Sequence, residues 1–391
     1  MQEKMTAKKS VPLWFGAAVS ISEILTGLSF APLGLFRGLL AIVIGHLIGG
    51  ALLYLAGRIG AVSRRSAMDT VGISYGRLGA LFFALLNILQ LVGWTAVMIE
   101  SGASVADALL PIGKTAFCLI IGALILLWVL LGIRSLGKIN TVVMAALFLL
   151  TVVLAFSVFR GSLPPLSGET LSFGAAIELS VAMPLSWLAL ISDYTKDSDK
   201  GRLVPLVSSL SYTLVSIFMY VIGMGLALYG GGDLVAALRG LGFAAVGLSV
   251  ILLSTVTTTF LDVYSAAVSF ETIIRRVPVR IAGAVVTVLG TVLALFAPLS
   301  RLESFLYLIG SVFAPMIAIL LCDFFLLKKD FSQKQLSLPN AILWLLGFFL
   351  YRGLMRLDLF MGSTVPCIII LVIARYLLEK VNETLRKEKK K

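Results

Sequence analysis

Apolar segments of about 20 residues recur along the whole chain, and each is long enough to cross the hydrocarbon core of a bilayer as a helix. Because backbone polar groups find no water inside a bilayer, a chain with this pattern must fold as a bundle of helices. The sequence predicts an all-α integral membrane protein with one transmembrane domain at 1–391 and cytoplasmic tails at 1–10 and 380–391. The twelve predicted spans are 11–36, 38–60, 79–106, 114–133, 138–159, 173–192, 203–229, 241–270, 279–298, 303–327, 339–357 and 363–379.

The composition excludes a soluble globular domain. Hydrophobic residues make up 59% of the chain and charged residues 13%, with a mean hydropathy of +1.03. Soluble domains carry about twice that charged fraction. No small-residue cleavage site follows the basic first ten residues, so we expect no signal peptide. The three cysteines lie in separate spans, which predicts neither a disulfide framework nor a metal cluster, and no cofactor is expected.

The distribution of positive charge predicts the orientation. With the N-terminus in the cytoplasm, 25 of the 32 Lys and Arg residues lie on the cytoplasmic side and 7 on the opposite side. This is the asymmetry that orients inner-membrane proteins. We therefore expect an inner-membrane protein with both termini in the cytoplasm, and a basic C-terminal tail near anionic lipid. The same placement argues against nucleic acid as a partner, and a monomer is expected.

Two spans carry polar residues where a membrane helix is normally apolar. Span 1 contains Ser22 and Glu23, and span 6 contains Pro184 and Ser186. They are five apart in the order of the spans, as in transporters built from two inverted five-helix repeats, in which the first helix of each repeat is broken at the binding site. The alternative is a proline kink with small-residue packing. The matching positions favour repeats made of helices 1–5 and 6–10, followed by two further helices.

Span 3 carries a polar stripe. Asn87, Gln90, Trp94 and Ser101 are separated by 3, 4 and 7 residues, which places them on one helix face. A tryptophan between hydrogen-bonding residues suits a flat ring that stacks on it, although a tryptophan buried by packing alone is the alternative. Glu100 lies off the stripe and is interpreted as structural.

Span 8 carries a second stripe. The adjacent hydroxyls of Thr257 and Thr258 could supply oxygen ligands to Na⁺. Glu23 and Asp262 are costly acids, since a charge at a helix centre costs about 2.5–3.5 kcal/mol on insertion scales. No mid-membrane Lys or Arg can pair with them, so each must be protonated, hydrated, close to a cation or bonded to a substrate. His46, the only histidine, lies between glycines, which favours a packing role over a proton relay.

Several segments together resemble a known family. The stretches FGAAVSISEILTG, QLVGW, PLSWLALISDY and STVTTTFLDVYSA are similar to those of nucleobase:cation symporters related to bacterial cytosine permease. The similarity is greatest to hydroxymethylpyrimidine permeases linked to thiamine. The resemblance implies a twelve-helix, leucine-transporter-like fold that imports a planar heterocycle together with a cation.

The resemblance also implies site residues. It assigns ring stacking to Trp94, and the other ring face to helix 6 near Ser186 and Trp187, without deciding which residue covers it. Asp262 occurs in a region where the family carries an asparagine, so amide recognition of cytosine is missing. An acid there, with Glu23 opposite and Gln90 nearby, suits the amino group of a 4-aminopyrimidine.

The resemblance further implies a sodium site. Thr257 and Thr258 match the family's helix 8 hydroxyls, and carbonyls near Val19 to Ser22 would complete the site. Ser22 is thus expected at both the substrate and the cation.

We therefore expect a symporter that imports hydroxymethylpyrimidine with Na⁺ or H⁺ by alternating access. A cytosine or other nucleobase permease, an amino-acid carrier and a passive channel are the alternatives. An intramembrane enzyme is disfavoured because no catalytic motif is present.

Overall fold

The computed structural model describes residues 4–131, 137–159, 171–199, 201–229, 233–240, 244–274, 276–296 and 302–388. The described chain folds into fifteen α-helices, with a short 3-10 helix at Ala31–Leu33 and a π-helical turn at Cys322–Leu327. They are α1 Ala7–Ala18, α2 Ile21–Leu28, α3 Gly34–Ser63, α4 Ala67–Leu109, α5 Lys114–Leu131, α6 Gly137–Val158, α7 Phe173–Leu188, α8 Ile191–Thr195, α9 Leu203–Tyr229, α10 Leu234–Gly240, α11 Ala244–Ile273, α12 Val279–Ala294, α13 Leu302–Leu321, α14 Leu338–Leu354 and α15 Thr364–Glu388.

The predicted all-helical membrane architecture is confirmed. The lengths of the helices do not by themselves establish the predicted count of twelve spans. Among the described residues, six helices are long and apolar enough to cross a membrane, and α1 with α2 adds a seventh if the bent pair is one span. The apolar helices α7, α12 and α14 are shorter, at 16, 16 and 17 residues. Several basic residues behind the orientation lie outside the described residues, namely Arg134, Arg160, Lys200, Arg275, Arg301 and 389–391.

The first span is broken as predicted, between α1 and α2, which meet at 49°. Ser20 has extended backbone angles, and its hydroxyl accepts a hydrogen bond from the Glu23 backbone N–H at 3.3 Å, which caps α2. The Ser20 backbone N–H bonds to the Ala18 carbonyl rather than to that of Gly16. The Gly16 carbonyl is therefore left without its helical partner.

Close packing of α2 on α9 fixes the second half of this span. A Cβ atom on Gly27 would meet the backbone of Tyr220, and one on Gly223 would meet the Ile24 carbonyl. Because both positions admit only glycine, the two backbones lie in direct contact. The α2 face that carries Glu23 is thereby pressed against α9.

The sixth predicted span is also broken, between α7 and α8. The Leu190 N–H bonds to the Trp187 carbonyl, so the last turn tightens and the Ser186 carbonyl loses its usual helical donor. The break follows Pro184 by five residues. Pro184 itself lies within α7 and packs on Gly49 of α3.

A buried acid ties α7 to the C-terminal helices. Glu178 accepts hydrogen bonds from the backbone N–H groups of Ser363 at 2.6 Å and Thr364 at 2.7 Å, and from the Thr364 hydroxyl at 2.6 Å. The Tyr351 hydroxyl of α14 also donates to it. The carboxylate thus lies at the N-terminus of α15, where the helix dipole favours negative charge.

We predict that Glu178→Ala lowers the thermal unfolding temperature of the detergent-solubilised protein. The substitution leaves four buried donors without an acceptor, and hydrogen bonds to a charged group contribute about 1.5–3 kcal/mol each. Glu303→Ala is the matched control, because Glu303 is exposed and accepts one bond, from the Ser29 hydroxyl at 2.7 Å. Equal unfolding temperatures for the two variants would contradict the anchoring role.

Candidate substrate and cation site

A narrow cavity of about 20 Å³ lies where the two breaks face each other. This is room for about one water molecule, so a ring-sized ligand requires the side chains of the cavity wall to move apart. Its walls come from α1, α2, α4, α7, α11 and the residues between the broken halves. They are Ala17, Ser20, Ser22, Glu23, Trp94, Met98, Met183, Ser186, Trp187, Leu190, Thr258 and Asp262.

Most of the predicted site residues line this one cavity. The structure brings together Ser22, Glu23, Trp94, Ser186, Trp187, Asp262 and Thr258. Gln90, Val19 and Thr257 are buried but do not belong to the cavity wall. Residues from four predicted spans therefore converge on one point.

Two indole rings contribute the aromatic part of the wall. Trp94 of α4 packs edge-on against Phe305, with ring centroids 5.4 Å apart. Trp187 of α7 contacts Trp14 and Tyr212, in each case at 5.7 Å between centroids. Trp187 is the aromatic residue of α7 that lines the cavity. The sequence left open which residue near Ser186 and Trp187 would cover the second face of a bound ring, and Trp187 is the aromatic candidate at that position.

Glu23 already has partners on both carboxyl oxygens. The Tyr212 hydroxyl donates to Oε1 at 2.7 Å and the Ser216 hydroxyl lies 2.6 Å from Oε2. Both come from α9. The acid at the centre of the first span is therefore stabilised by protein hydroxyls, and its role toward a substrate remains a prediction.

Asp262 has a different environment. It is 4% exposed, it lines the cavity, and no described residue forms a hydrogen bond or ion pair with its carboxyl group. Buried acids are normally hydrogen-bonded or paired. The Asp262 carboxyl group is thus an unpartnered acceptor that faces the cavity.

One side-chain hydrogen bond joins α11 to the break of the first span. The Thr258 hydroxyl donates to the Gly16 carbonyl at 3.1 Å, whereas the Thr257 hydroxyl donates to the Ser254 carbonyl of its own helix at 3.0 Å. Hydroxyl and carbonyl oxygens are hard ligands of the kind that Na⁺ prefers. Among the described residues, no group of three or more His, Cys, Asp or Glu could hold another metal.

The oxygens of Ser22 are engaged elsewhere. Its hydroxyl contacts the Met98 sulfur at 3.1 Å, and its carbonyl accepts from the Thr26 hydroxyl at 2.8 Å. We therefore do not carry Ser22 into the cation site. Val19, at the end of α1, stays a prediction as a carbonyl ligand.

Comparison with known proteins identifies the family. The model of the permeases for cytosine/purines, uracil, thiamine and allantoin matches residues 2–336. The chain belongs to this family. Its members are transporters rather than enzymes, as the absence of a catalytic motif predicted. No curated protein sequence gives a significant match.

Solved structures share the fold of this permease at low sequence identity. Mhp1, a nucleobase-cation-symport-1 family transporter in a closed conformation with bromovinylhydantoin bound, has a TM-score of 0.82 at 16% identity, over 97% of this chain and 94% of its own. Inward-facing Mhp1 gives 0.77 at 17%, over 97% and 92%. A substrate-bound, outward-open Na⁺-coupled sialic acid symporter gives 0.74 at 13%, over 97% and 90%.

Gln90 lies outside the cavity wall of this permease and bonds to Ser186, which belongs to the wall. Its side-chain amide donates to Asn87 at 2.8 Å and to the Ser186 carbonyl at 3.3 Å, which is the carbonyl freed by the second break. Asn87 in turn donates to Ser269 of α11 at 2.8 Å. The polar stripe of α4 therefore connects helices, and only Trp94 of its members reaches the cavity.

The interpretation of Glu100 as structural agrees with its contacts, whereas His46 has polar contacts on both ring nitrogens. Glu100 forms an ion pair with Lys114 at 2.6 Å, away from the cavity. His46 is fully buried beside Gly45, where a Cβ would meet Ser180 of α7.

Sequence reasoning missed the contribution of α9. Ser209, Tyr212, Ser216 and Tyr220 are separated by 3, 4 and 4 residues, so they form a polar stripe on one helix face. This spacing was available in the sequence. Two of these residues, Tyr212 and Ser216, hold the Glu23 carboxyl group.

We predict that Asp262→Asn raises the thermal unfolding temperature, because it replaces an unpartnered buried acid with a neutral group of the same shape. Asp323→Asn is the matched control, since Asp323 is fully buried but pairs with Arg375 at 2.7 Å and accepts from Asn340 at 2.8 Å. Breaking such a pair destabilises proteins by about 3–5 kcal/mol. A lower unfolding temperature for both variants would show that Asp262 has a stabilising partner.

Proposed function

We propose that the protein is a secondary active symporter that imports a planar aminopyrimidine with Na⁺ by alternating access, with hydroxymethylpyrimidine as the favoured substrate. The observation that carries the proposal is that one cavity is lined both by the Trp94 indole and by the Asp262 carboxyl group, which forms no hydrogen bond with a described residue. Family membership supports transport of a small heterocycle. The choice of substrate rests on the cavity.

Asp262 supports an aminopyrimidine over an anionic substrate. An exocyclic amine donates hydrogen bonds, and a carboxyl group with no protein partner is the acceptor such an amine requires. An amino acid would bring its own carboxylate into a cavity whose wall already contains Asp262 and Glu23. A substrate carboxylate would be repelled by an ionised acid in the same small cavity, which disfavours the amino-acid carrier.

The aromatic walls support a flat substrate. Stacking of a heterocycle on an indole contributes about 1–3 kcal/mol per ring. Trp94 and Trp187 come from different helices, α4 and α7, so a ring between them would join the two. We propose that this contact closes the cavity around the substrate. Bromovinylhydantoin, the ligand bound to Mhp1, is likewise a ring compound.

The contact between Thr258 and the Gly16 carbonyl supports Na⁺ at the junction of α1 and α11. We propose that Thr257, Thr258 and the Gly16 carbonyl are ligands, and that Val19 adds a further carbonyl. The cation would replace the hydrogen bond between Thr258 and Gly16, and so would bind one half of the broken span to α11. The twelve-span architecture with two inverted repeats, and both termini in the cytoplasm, belongs to the same proposal.

We predict that purified protein in liposomes accumulates radiolabelled hydroxymethylpyrimidine against its gradient when an inward Na⁺ gradient is imposed. Cytosine is expected to compete weakly, because the asparagine expected for its recognition is absent. Trp94→Ala is expected to abolish uptake through loss of ring stacking, without loss of folded protein. A Trp94→Ala variant that transports normally would place the substrate elsewhere, and uptake that never exceeds equilibrium would indicate a passive channel.

We also predict that Thr258→Val removes most of the thermal stabilisation that Na⁺ gives to the protein, since valine keeps the shape but lacks the hydroxyl ligand. The control is Thr259→Val, because the Thr259 hydroxyl donates only to Thr255 of its own helix, at 2.6 Å. The unfolding temperature is compared in NaCl and in choline chloride. Equal Na⁺ responses in the two variants would refute the assigned site.

A further inference from the structure

A chain of buried polar groups leads away from the cavity through Glu23. The Ser216 oxygen lies 2.6 Å from Glu23 Oε2 and 2.7 Å from His46 Nε2. On the other side of the ring, His46 Nδ1 lies 3.0 Å from the Ile42 carbonyl and 2.7 Å from the Ser180 oxygen. Glu23, Ile42, His46, Ser180 and Ser216 are all buried.

The number of hydrogen atoms shared along this chain of polar groups can be counted, because some of the groups can only accept a hydrogen bond. The Ser180 hydroxyl donates to the Ile42 carbonyl at 2.7 Å, so it cannot also donate to the ring. A carbonyl cannot donate, and the contacts of Nδ1 with Ile42 and Ser180 therefore require a hydrogen on Nδ1. In a neutral ring that leaves Nε2 as an acceptor, which takes the hydrogen of Ser216.

The same reasoning then reaches Glu23. Once the Ser216 hydroxyl donates to His46, its oxygen can only accept from Glu23, so the hydrogen between them belongs to the carboxyl group. Three contacts, from Glu23 to Ser216, to His46 and to Ile42, need three hydrogens. Serine and a neutral imidazole supply two, so the chain holds one proton more than a carboxylate with a neutral histidine.

We propose that Glu23, Ser216 and His46 form a proton-binding site beside the substrate cavity. When the chain loses one proton, the Nδ1 hydrogen of His46 is released, the Ser216 hydrogen passes to Nε2, and the Glu23 proton passes to the Ser216 oxygen. Ser216 then donates to the Glu23 carboxylate, Nε2–H donates to Ser216, and the Ser180 hydroxyl turns to donate to the bare Nδ1. The chain loses one proton and no other atom. Protonation of an acid in the cavity wall is thereby linked to the tautomer of a histidine behind it.

Other titratable groups border the site. Tyr212 of α9 donates to Glu23 Oε1, and Tyr220 of the same helix packs on the His46 ring at 4.7 Å between centroids. Asp262 of α11 lies across the cavity. The α4 residues of the cavity wall, Trp94 and Met98, do not titrate. Glu23 lies four residues from the proposed cation ligand Val19 and seven from Gly16, and none of the chain's hydrogen bonds involves a proposed cation ligand.

The test uses the fact that His46 is the only histidine of the sequence. Protein labelled with ¹⁵N-histidine, purified through a tag without histidine, gives the resonances of one ring. We expect a neutral ring with hydrogen on Nδ1 at about pH 5 that changes to Nε2 by about pH 8, the range in which histidines and perturbed acids titrate. Glu23→Gln, whose amide donates permanently to Ser216, is expected to keep Nδ1 protonated throughout.

Two further variants test whether the pH response of His46 depends on the hydrogen-bonded chain or only on the packing around the ring. Ser216→Ala removes the link, so His46 should lose the pH response seen in the wild type. Ser209→Ala should retain it, because the Ser209 hydroxyl donates to the Gly50 carbonyl of the same helix pair at 2.5 Å but lies outside the chain. A wild-type ring that keeps one tautomer across the range, or a Glu23→Gln or Ser216→Ala ring that titrates like the wild type, would overturn the proposal.

A transport measurement extends the test, and this part rests on the proposed function. The pH dependence of Na⁺-driven uptake should follow the tautomer change of His46 in the wild type, and Ser216→Ala, which leaves the Glu23 side chain in the cavity wall, should lose that pH dependence. Uptake by Ser216→Ala with the wild-type pH dependence would refute the link between the proton site and transport. If the wild type transports no aminopyrimidine, the proposed function fails, whereas the NMR result still decides the proton site.

Discussion

Every backbone N–H and C=O group inside a membrane bundle needs a partner, and the two broken helices remove some of those partners. At the first break, the carbonyl of Gly16 is left free and receives the hydroxyl of Thr258 from α11. At the second, the carbonyl of Ser186 receives the side-chain amide of Gln90 from α4. The breaks therefore persist because α4 and α11 supply the missing hydrogen bonds, and the cavity between them depends on those contacts.

Three of the buried acids have different environments, and each environment indicates a different role. Glu178 accepts four hydrogen bonds and anchors α7 to α14 and α15. Glu23 lies between two hydroxyls of α9 and at the end of a hydrogen-bonded chain. Asp262 forms no hydrogen bond or ion pair with any residue that the structure describes. Binding of a ligand is expected at the acid whose bonding capacity is unused, since a satisfied acid would have to give up existing bonds.

Small residues allow this arrangement. The backbones of α2 and α9 touch at Gly27 and Gly223, and α3 approaches α7 at Gly45 and Gly49. Such close approach brings hydroxyl groups within hydrogen-bond distance of groups that long side chains would otherwise separate. The chain from Glu23 to His46 crosses three helices within this tightly packed region.

The sequence by itself determined the membrane location, the helical class, the two broken spans and the residues that meet at the cavity. Length of the apolar runs, the price of a buried acid and the 3.6-residue period are local properties, so Glu23, Trp94, Thr258 and Asp262 could be found without coordinates. Only the tertiary structure decided how the polar groups pair. Gln90 shares a helix face with Trp94, yet it bonds to a freed carbonyl, because the neighbouring helix happens to end its last turn there. Glu23 is held by Tyr212 and Ser216, which are almost 200 residues away in sequence, and such pairings depend on which helices touch, a property that no local pattern contains.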